Sequence, residues 1–469
     1  MSVGVPAEEP APDRPHEEPD REDRGGAEQL CGRLRAIIGG SVGNLVEWYD
    51  WYTYSAFALY FAGSFFPKGD ATAQLLNTAA VFAVGFFMRP VGSWLLGRYA
   101  DRHGRRAALA GSVWLMCAGS LLIAVTPSYA TIGVAAPVLL VVARLLQGVS
   151  VGGEYGASAT YLSERAGRAR RGYYTSFQYV TLILGQLLAL VVLLVLQRVL
   201  PEASLTAWGW RIPFVIGACA AIVAVWMRHA LDETESFTRA QQVQQAQQAQ
   251  VRADGVAPIA AVGDAPARGL RGLARHRRAA WTVFGLTAGG ALAFYICTTY
   301  AQKFLVNTTG LSKAVASQVN AITLVGFMLL QPLVGALSDR IGRRPILLTF
   351  GVLGTLGTVP LLTALETATP ARAVLLLGAA LTVVTCYTSI NAVVKAELFP
   401  TEVRALGVAL PYSLAVSLFG GTAEYVALWL KGLGHERWFY WYATAVIAAS
   451  LVVYWRMPDT RDASLILED

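Results

Sequence analysis

The chain has 469 residues, of which 55% are hydrophobic and only 15% are charged, whereas globular proteins average roughly 45–50% and about 25%. These proportions exclude an ordinary soluble protein and indicate one that crosses a membrane many times. The formal charge of +7 does not indicate a nucleic-acid partner, because the cations stand in short runs between apolar stretches, as in the cytoplasmic loops of membrane proteins.

The chain begins with an acidic segment, residues 1–32, that contains almost no large apolar side chain. We expect this segment to be a disordered cytoplasmic tail, because it cannot bury enough apolar surface to fold. It also lacks the succession of basic, apolar and small residues that defines a signal peptide.

Twelve apolar stretches follow, each about 20 residues long and therefore able to cross the hydrocarbon core as a helix. They begin near residues 34, 74, 107, 132, 172, 209, 279, 314, 346, 371, 404 and 436. Arginine clusters near residues 98–106, 165–171, 271–278 and 340–344 all fall on one side of the membrane if both termini are cytoplasmic. The charge pattern therefore predicts cytoplasmic termini, with residues 458–469 as a second tail.

Residues 231–278 separate the sixth stretch from the seventh and include the polar run "QQVQQAQQAQ". A folded domain would need apolar periodicity, which this segment lacks. We therefore interpret it as a cytoplasmic linker of low complexity.

An internal repeat divides the chain into two halves. The loop "GRYADRHGRR" at 97–106 matches "GALSDRIGRR" at 335–344, and each follows the second apolar stretch of its half. Matching loops in two sets of six helices are typical of a transporter built from parallel repeats. The sequence thus predicts an all-α membrane protein with twelve transmembrane helices in two pseudo-symmetric six-helix bundles, residues 33–230 and 279–457.

The repeated loop resembles the signature of the major facilitator superfamily, and "RLLQGVSVGG" at 144–153 resembles its fourth-helix motif. The stretches "GNLVEWYDWYTYSAFALYFAGSFFP", "SVGGEYGASATYLSE" and "WGWRIP" are similar to the metabolite:proton symporter family within it. "TTYAQKFLVNT" and "KAELFPTEVRALGVALPYS" resemble members of that family that carry α-ketoglutarate. The resemblance implies a proton-coupled symporter that imports this dicarboxylate by alternating access across a bacterial inner membrane.

The resemblance also implies a gate at the inner helix ends, which holds them together while the cavity faces outward. The gating candidates are Gly97, Asp101, Arg105, Asp339, Arg343, Glu397 and Arg404. Topological anchoring by positive charge is the alternative, but it explains the arginines and not the aspartates.

Two carboxylates, Glu47 and Asp50, lie inside the first apolar stretch, where a charge is costly and is therefore a functional candidate. At i and i+3 they share one helix face, and burial favours the neutral form of a carboxyl group. We interpret them as a proton-coupling site. The alternative is a structural ion pair with an arginine of a neighbouring helix. Glu424, deep in the eleventh stretch, is a further proton-coupling candidate.

Arg89 and Arg144 lie near the middle of the second and fourth stretches. A guanidinium group can hold a carboxylate with two parallel hydrogen bonds, so two of them suit a dicarboxylate. For Arg144, a role in proton coupling or internal ion pairing stays open. The remaining substrate-binding candidates are Tyr52, Tyr155, Tyr295 and Lys303. Lys303, like Lys395, alternatively extends its ammonium group to a membrane interface.

Other functions stay open at this point. One alternative is a proton symporter of the same family that carries citrate, shikimate, proline or betaine. Betaine would favour an aromatic cage. A membrane sensor would need an output domain, and an enzyme would need a catalytic motif that the sequence lacks. We expect a monomer in the lipid bilayer whose partners are a small anionic metabolite and a proton, with no nucleic acid, cofactor or metal.

Overall fold

The computed structural model describes residues 44–67, 69–103, 105–229, 270–400 and 403–466. Within these ranges the secondary structure is helical, without a strand. The predicted acidic tail, the beginning of the first apolar stretch and most of the predicted linker lie outside the described residues.

Twelve long helices follow one another along the chain. The first half contains α1 (44–65), α2 (Ala71–His103), α3 (Arg105–Val125), α4 (Ala135–Arg165), α5 (Arg171–Val199) and α6 (Ile212–His229). The second half contains α7 (Arg277–Asn307), α8 (Lys313–Ile341), α9 (Arg343–Leu365), α10 (Pro370–Glu397), α11 (Arg404–Gly432) and α12 (Glu436–Arg456). This order confirms the predicted all-α membrane fold with six helices in each half.

Most of these helices are apolar along a bilayer-spanning length. Among the described residues, nine helices are long and apolar enough to cross a membrane, and Ala110–Val125 and Gly209–Ala224 supply shorter apolar helices at α3 and α6. The short helices Tyr129–Ile132, Glu202–Ala207 and Leu270–Arg275 lie in the connections.

The packing of the helices repeats between the halves. In the first half α4 packs on α2 and α3, and in the second half α10 packs on α8 and α9. Between the halves, α5 packs against α8 and α11 packs against α2. The fifth helix of each half thus contacts the second helix of the other, as expected for two parallel repeats.

The contact between α2 and α4 depends on glycine. A Cβ atom on Gly148 would overlap the carbonyl oxygen of Gly85, and one on Gly152 would overlap the carbonyl oxygen of Arg89. Small residues let helix backbones approach this closely. The helices that carry Arg89 and Arg144 therefore form one tightly packed pair.

Two helices of the second half contain a π-helical turn, α7 at Ile296–Tyr300 and α11 at Val416–Gly420. Such widened turns are rare and frequently occur at functional sites. In the α11 turn, the hydroxyl group of Ser417 donates to the carbonyl oxygen of Phe86 in α2 at 2.6 Å. The turn therefore contacts the opposite half directly.

The two halves are joined at the end where α5 begins and α8 ends, which the sequence predicts to be cytoplasmic and which we call the inner end. Asp339 of α8 accepts hydrogen bonds from the backbone nitrogens of Gly172 and Tyr173 in α5, at 2.8 and 2.9 Å. A carboxylate is favourable at a helix N-terminus, where the backbone N–H groups lack helical partners. The inner end is closed in this conformation.

Residues 459–466, which we call the C-terminal segment, pack beneath the inner end. Asp459 accepts from the backbone nitrogen of Arg343 at 3.0 Å, and the hydroxyl group of Thr460 donates to Glu397 at 2.6 Å. The part of the predicted second tail that the structure describes is thus bound to α9 and α10.

Candidate functional site

Two buried arginines lie at the centre of the first half. Arg89 of α2 and Arg144 of α4 are 3% and 0% exposed. Their Cζ atoms lie 4.6 and 4.0 Å from the ring centroid of Trp51 in α1. Both guanidinium groups are therefore stabilised by the electron-rich face of the same indole, an interaction that strengthens away from water.

Each guanidinium group keeps one edge that no described residue bonds. The Nε and Nη2 atoms of both Arg89 and Arg144 are buried, and neither atom has a partner among the described residues. The Nε and Nη2 hydrogens point in parallel along one edge of the fork, the geometry that binds both oxygens of a carboxylate. The site thus presents two such edges.

Aromatic rings surround the two arginines. Phe86 lies under Arg89 at 4.3 Å, and Tyr54 lies under Arg144 at 4.5 Å. Tyr295 of α7 packs edge-to-face on Phe86 with centroids 5.2 Å apart. The second half therefore contributes a ring to the wall of this site.

Tyr52 lies in the same region. Its ring stacks on Trp48 at 5.7 Å, and its hydroxyl group is buried without a hydrogen-bond partner among the described residues. It also lines a cavity of about 10 Å³ between the halves, together with Gln186 and Asn320. That volume is about the space of one water molecule, so the central space is almost completely filled in this conformation.

The buried carboxylate of Asp50 is bound by neutral groups. It accepts hydrogen bonds from the hydroxyl group of Ser120 and from Nε2 of Gln147, the latter at 2.6 Å. The Oε1 atom of Gln147 in turn accepts from Nη1 of Arg144 at 2.8 Å. Asp50 is therefore connected to a substrate-site arginine through one amide.

Glu47, one helical turn before Asp50, has its own partner. It accepts from the hydroxyl group of Ser150 in α4 at 2.8 Å, and Ser150 also lies 2.7 Å from the carbonyl oxygen of Ser112 in α3. Glu47 is 3% exposed. The structure thus brings both predicted carboxylates into the interior of the first half, with different hydroxyl donors.

In the second half, Lys303 and Glu424 form a buried ion pair. The Nζ atom of Lys303 lies 3.1 Å from Oε2 of Glu424 and also donates to the hydroxyl group of Ser55 in α1. Lys395 is fully buried as well, with Nζ 3.7 Å from the ring centroid of Tyr412. Neither lysine extends to a membrane interface, so that alternative does not describe them.

The gating candidates that the structure describes cluster at the inner end. Arg343 pairs with Asp339 at 2.8 Å, and Glu397 lies 3.7 Å from Arg343 and 3.8 Å from Arg171 of the first half. The Nε atom of Arg404 donates to a backbone carbonyl oxygen, that of Phe399, at 3.1 Å. This charge network spans both halves.

Some predicted residues lie outside the described side chains, namely Tyr155, Gly97, Asp101 and Arg105. Conversely, the site includes three residues that are not among the sequence-predicted ones, Gln147, Ser120 and Ser150. Gln147 is the fourth residue of "RLLQG", one turn after Arg144, and a polar residue on the arginine face of a membrane helix is the signal that identifies it. Among the described residues, no group of side chains has the composition of a metal site.

Comparison with known proteins assigns the chain to a family. The profile described as "Sugar (and other) transporter" matches residues 36–468. The chain is 53% identical over 423 residues to the α-ketoglutarate permease of Escherichia coli, covering 90% of this chain and 93% of the permease. It is 35% identical over 396 residues to the citrate-proton symporter of Klebsiella pneumoniae, covering 83% of each.

Solved structures show the same fold. The proton:xylose symporter XylE of the major facilitator superfamily superimposes with a TM-score of 0.71 at 20% identity, covering 92% of this chain and 97% of XylE. At that identity the likeness establishes the fold alone. Together with the family profile and the relatives above, it shows that this twelve-helix chain belongs to the sugar (and other) transporter family of the major facilitator superfamily.

Proposed function

We propose that the protein is a proton-coupled symporter that imports α-ketoglutarate. The observation that carries this proposal is the pair of buried arginines, each with an Nε–Nη2 edge that has no partner among the described residues. Two forks bind the two carboxylates of a dicarboxylate, and each charge-assisted hydrogen bond contributes about 1.5–3 kcal/mol. The 53% identity to a protein named α-ketoglutarate permease supports the same substrate.

The buried carboxylates of α1 carry the proton in this proposal, with Asp50 as the principal site. Asp50 is 1% exposed, and burial without a directly bonded cation favours the neutral form. A proton on Asp50 offsets part of the charge that a dianionic substrate brings into the site. Proton and substrate therefore enter together, which is the requirement for symport.

The second half contributes Lys303 and Glu424. In the conformation described here they neutralise one another at 3.1 Å. We propose that protonation of Glu424 releases the ammonium group of Lys303 toward the substrate, with Tyr295 and Tyr52 as neighbouring hydrogen-bond donors. This gives the second half its own proton-dependent contact to the same ligand.

Alternating access requires that the two ends of the protein open in turn. At the inner end, opening breaks the bonds from α5 to Asp339 and the approach of Glu397 to Arg171. At the opposite end, it separates Lys313 from Glu202, which are 2.8 Å apart. In this proposal the described conformation is the occluded intermediate, since contacts between the halves are present at both ends.

We further propose how the protein lies in its membrane and in what oligomeric state. The protein lies as a monomer in the bacterial cytoplasmic membrane with both termini on the cytoplasmic side, as the arginine clusters predict. Transport uses no cofactor and includes no covalent step. The gate residues whose side chains lie outside the described set, Asp101 and Arg105, act in the first half as Asp339 and Arg343 do in the second.

The test is uptake of labelled 2-oxoglutarate by the purified protein in liposomes with an acid exterior. Unlabelled 2-oxoglutarate, citrate, shikimate, proline, betaine and glucose serve as competitors, and protein-free liposomes serve as the control. We expect uptake that depends on the pH gradient and that 2-oxoglutarate alone competes strongly. Uptake inhibited by citrate as strongly as by 2-oxoglutarate would favour a tricarboxylate carrier. Absence of uptake, with transport of another competitor, would overturn the substrate assignment.

A further inference from the structure

A neutral side chain, Gln147, lies between the acidic and basic groups of the first half. Its Nε2 atom is 2.6 Å from Oδ2 of Asp50 and 3.0 Å from the hydroxyl oxygen of Ser120. Its Oε1 atom is 2.8 Å from Nη1 of Arg144. All four side chains are buried, with at most 1% of any of them exposed. The amide nitrogen thus donates two hydrogen bonds, and the amide oxygen accepts one.

We propose that Gln147 is a positioning residue that transmits the protonation state of Asp50 to Arg144. The inference rests on the proposed function, because it explains how proton binding and substrate binding are coupled there. A primary amide suits this role, since one end only donates hydrogen bonds and the other end only accepts them. Its orientation is therefore fixed by which of its two neighbours donates.

The proton changes that orientation. When Asp50 is ionised, its Oδ2 atom accepts from Nε2, and Oε1 is left to accept from Arg144. A proton that binds Oδ2 turns this oxygen into a donor, so the amide rotates by half a turn and Oε1 accepts from the new O–H group. The Nε2 hydrogens then face Nη1 of Arg144, two donors oppose each other, and the guanidinium group is released toward the substrate carboxylate. One proton is taken up, the hydrogen bonds from Nε2 to Asp50 and from Arg144 to Oε1 are broken, one hydrogen bond from Asp50 to Oε1 forms, and no covalent bond other than the new O–H bond changes.

The surroundings of Asp50 contain other groups that titrate or carry charge. These are Glu47 and Tyr49 of α1, Cys117 of α3, and Arg144 of α4 with Arg89 behind Trp51. From α6, Gly217 approaches Asp50 and Cys219 lies near Cys117. Arg144 is joined to Asp50 through Gln147. The amide therefore selects the substrate-binding arginine as the group that responds to the proton.

The consequence is positive coupling between proton and substrate. Protonation frees Arg144 for the substrate, so affinity for substrate rises as pH falls, and bound substrate favours protonation by the same factor. Gln331 of α8 offers a matched control, because this buried glutamine is bonded to the hydroxyl group of Thr388 and to the carbonyl oxygen of Phe327, both neutral groups of the second half.

The experiment measures the affinity for 2-oxoglutarate in exchange across liposomes with equal pH on both sides, at acid and at alkaline pH. For the wild type we expect affinity to be roughly 5- to 150-fold higher at acid pH, the usual range of coupling between two sites. For Gln147→Leu we expect this ratio to fall to about one, and for Gln331→Leu we expect it to stay within the wild-type range. Gln147→Asn, whose shorter side chain cannot span both partners, should reduce the ratio if Gln147→Leu does not reach the membrane.

Each outcome decides a separate point. A Gln147 variant that keeps the wild-type ratio of acid to alkaline affinity while its absolute affinity falls has lost only packing. That result overturns the proposed coupling through Gln147, which we call the relay. Loss of the ratio in Gln331→Leu to the same extent also overturns it, because a leucine at any buried glutamine would then suffice. A wild-type affinity that does not change with pH overturns the proposed proton coupling itself, and the relay with it.

Discussion

The two halves of the molecule both bury cations and carboxylates, but they arrange them differently. In the first half the charges are separated by an amide and by aromatic rings, and the arginines keep open edges. In the second half Lys303 and Glu424 contact each other directly at 3.1 Å. Arg89 and Arg144 can thus accept an anion on these edges without breaking an ion pair to a described residue, whereas Lys303 and Glu424 must first separate.

The largest expected effect comes from the arginine forks. Arg89→Lys and Arg144→Lys keep the positive charge but replace the planar fork by a single ammonium group. Because each truncation leaves a buried carboxylate of the substrate poorly paired, we expect a loss of about 3 kcal/mol, which is roughly 100-fold in affinity. The measurement is the concentration dependence of 2-oxoglutarate exchange.

Arg211 provides the matched control for these two variants. It stacks on Trp210 at 4.3 Å and donates to the carbonyl oxygen of Thr126, at the far end of α3 from the inner gate. Arg211→Lys should change affinity by no more than about twofold, since partly exposed cation–π pairs contribute little. An equal loss in Arg211→Lys and Arg144→Lys would mean that stability, and not substrate binding, explains the effect.

The next effect distinguishes the two carboxylates of α1. Asp50→Asn mimics the protonated carboxyl group and contacts Gln147, so we expect accumulation against a gradient to fall by about tenfold or more while exchange at equal concentrations continues. Glu47→Gln keeps an acceptor for Ser150 and should retain accumulation within about threefold of the wild type. Accumulation retained in Asp50→Asn and lost in Glu47→Gln would assign the proton to Glu47.

A double-mutant cycle tests the direct pair of the second half. Lys303→Met leaves a buried carboxylate without its cation, and we expect it to destabilise the protein by about 3–5 kcal/mol. Glu424→Gln instead leaves the buried ammonium group of Lys303 without its carboxylate partner. The double variant should recover a large part of this loss, because no uncompensated charge remains. Additive losses, measured as shifts of thermal unfolding in detergent, would show that the two residues act independently.

The smallest expected effect concerns the packing that holds the first half rigid. Gly148→Ala places a methyl group against the carbonyl oxygen of Gly85, and overpacking of this kind costs about 1–3 kcal/mol. Gly326→Ala in α8 meets nothing within 4 Å and should not lower the unfolding temperature. If both substitutions are neutral, the close approach of α2 and α4 is not required for stability.

Hydropathy, charge bias and the repeated loop were sufficient to predict the twelve helices, because each signal is local to one span or loop. The buried charges were also accessible from sequence, since an ionisable residue in an apolar stretch stands out. These include Asp50, Arg89, Arg144 and Glu424, all of which the structure places inside the protein.

The contacts between those residues could not be predicted in the same way. Lys303 and Glu424 are 121 positions apart, and their pairing depends on the rotation of α7 and α11 about their axes. Gln147 lies on the arginine face of its helix, which marks it as a candidate, but its bond to Asp50 depends on how α1 and α4 are placed side by side. The C-terminal segment was predicted as a tail. It binds to backbone N–H groups at the start of α9, and because every helix start offers such groups, the sequence does not show that this one is bound.

The C-terminal segment has a consequence for how the protein is made. It follows α12, yet it supplies the acceptor for the first backbone nitrogen of α9 and a hydroxyl donor to Glu397. A chain still leaving the ribosome therefore cannot make these two contacts until all twelve helices have been synthesised. During biogenesis the inner end must pass through a stage that lacks these contacts, and the last described residues of the chain supply them.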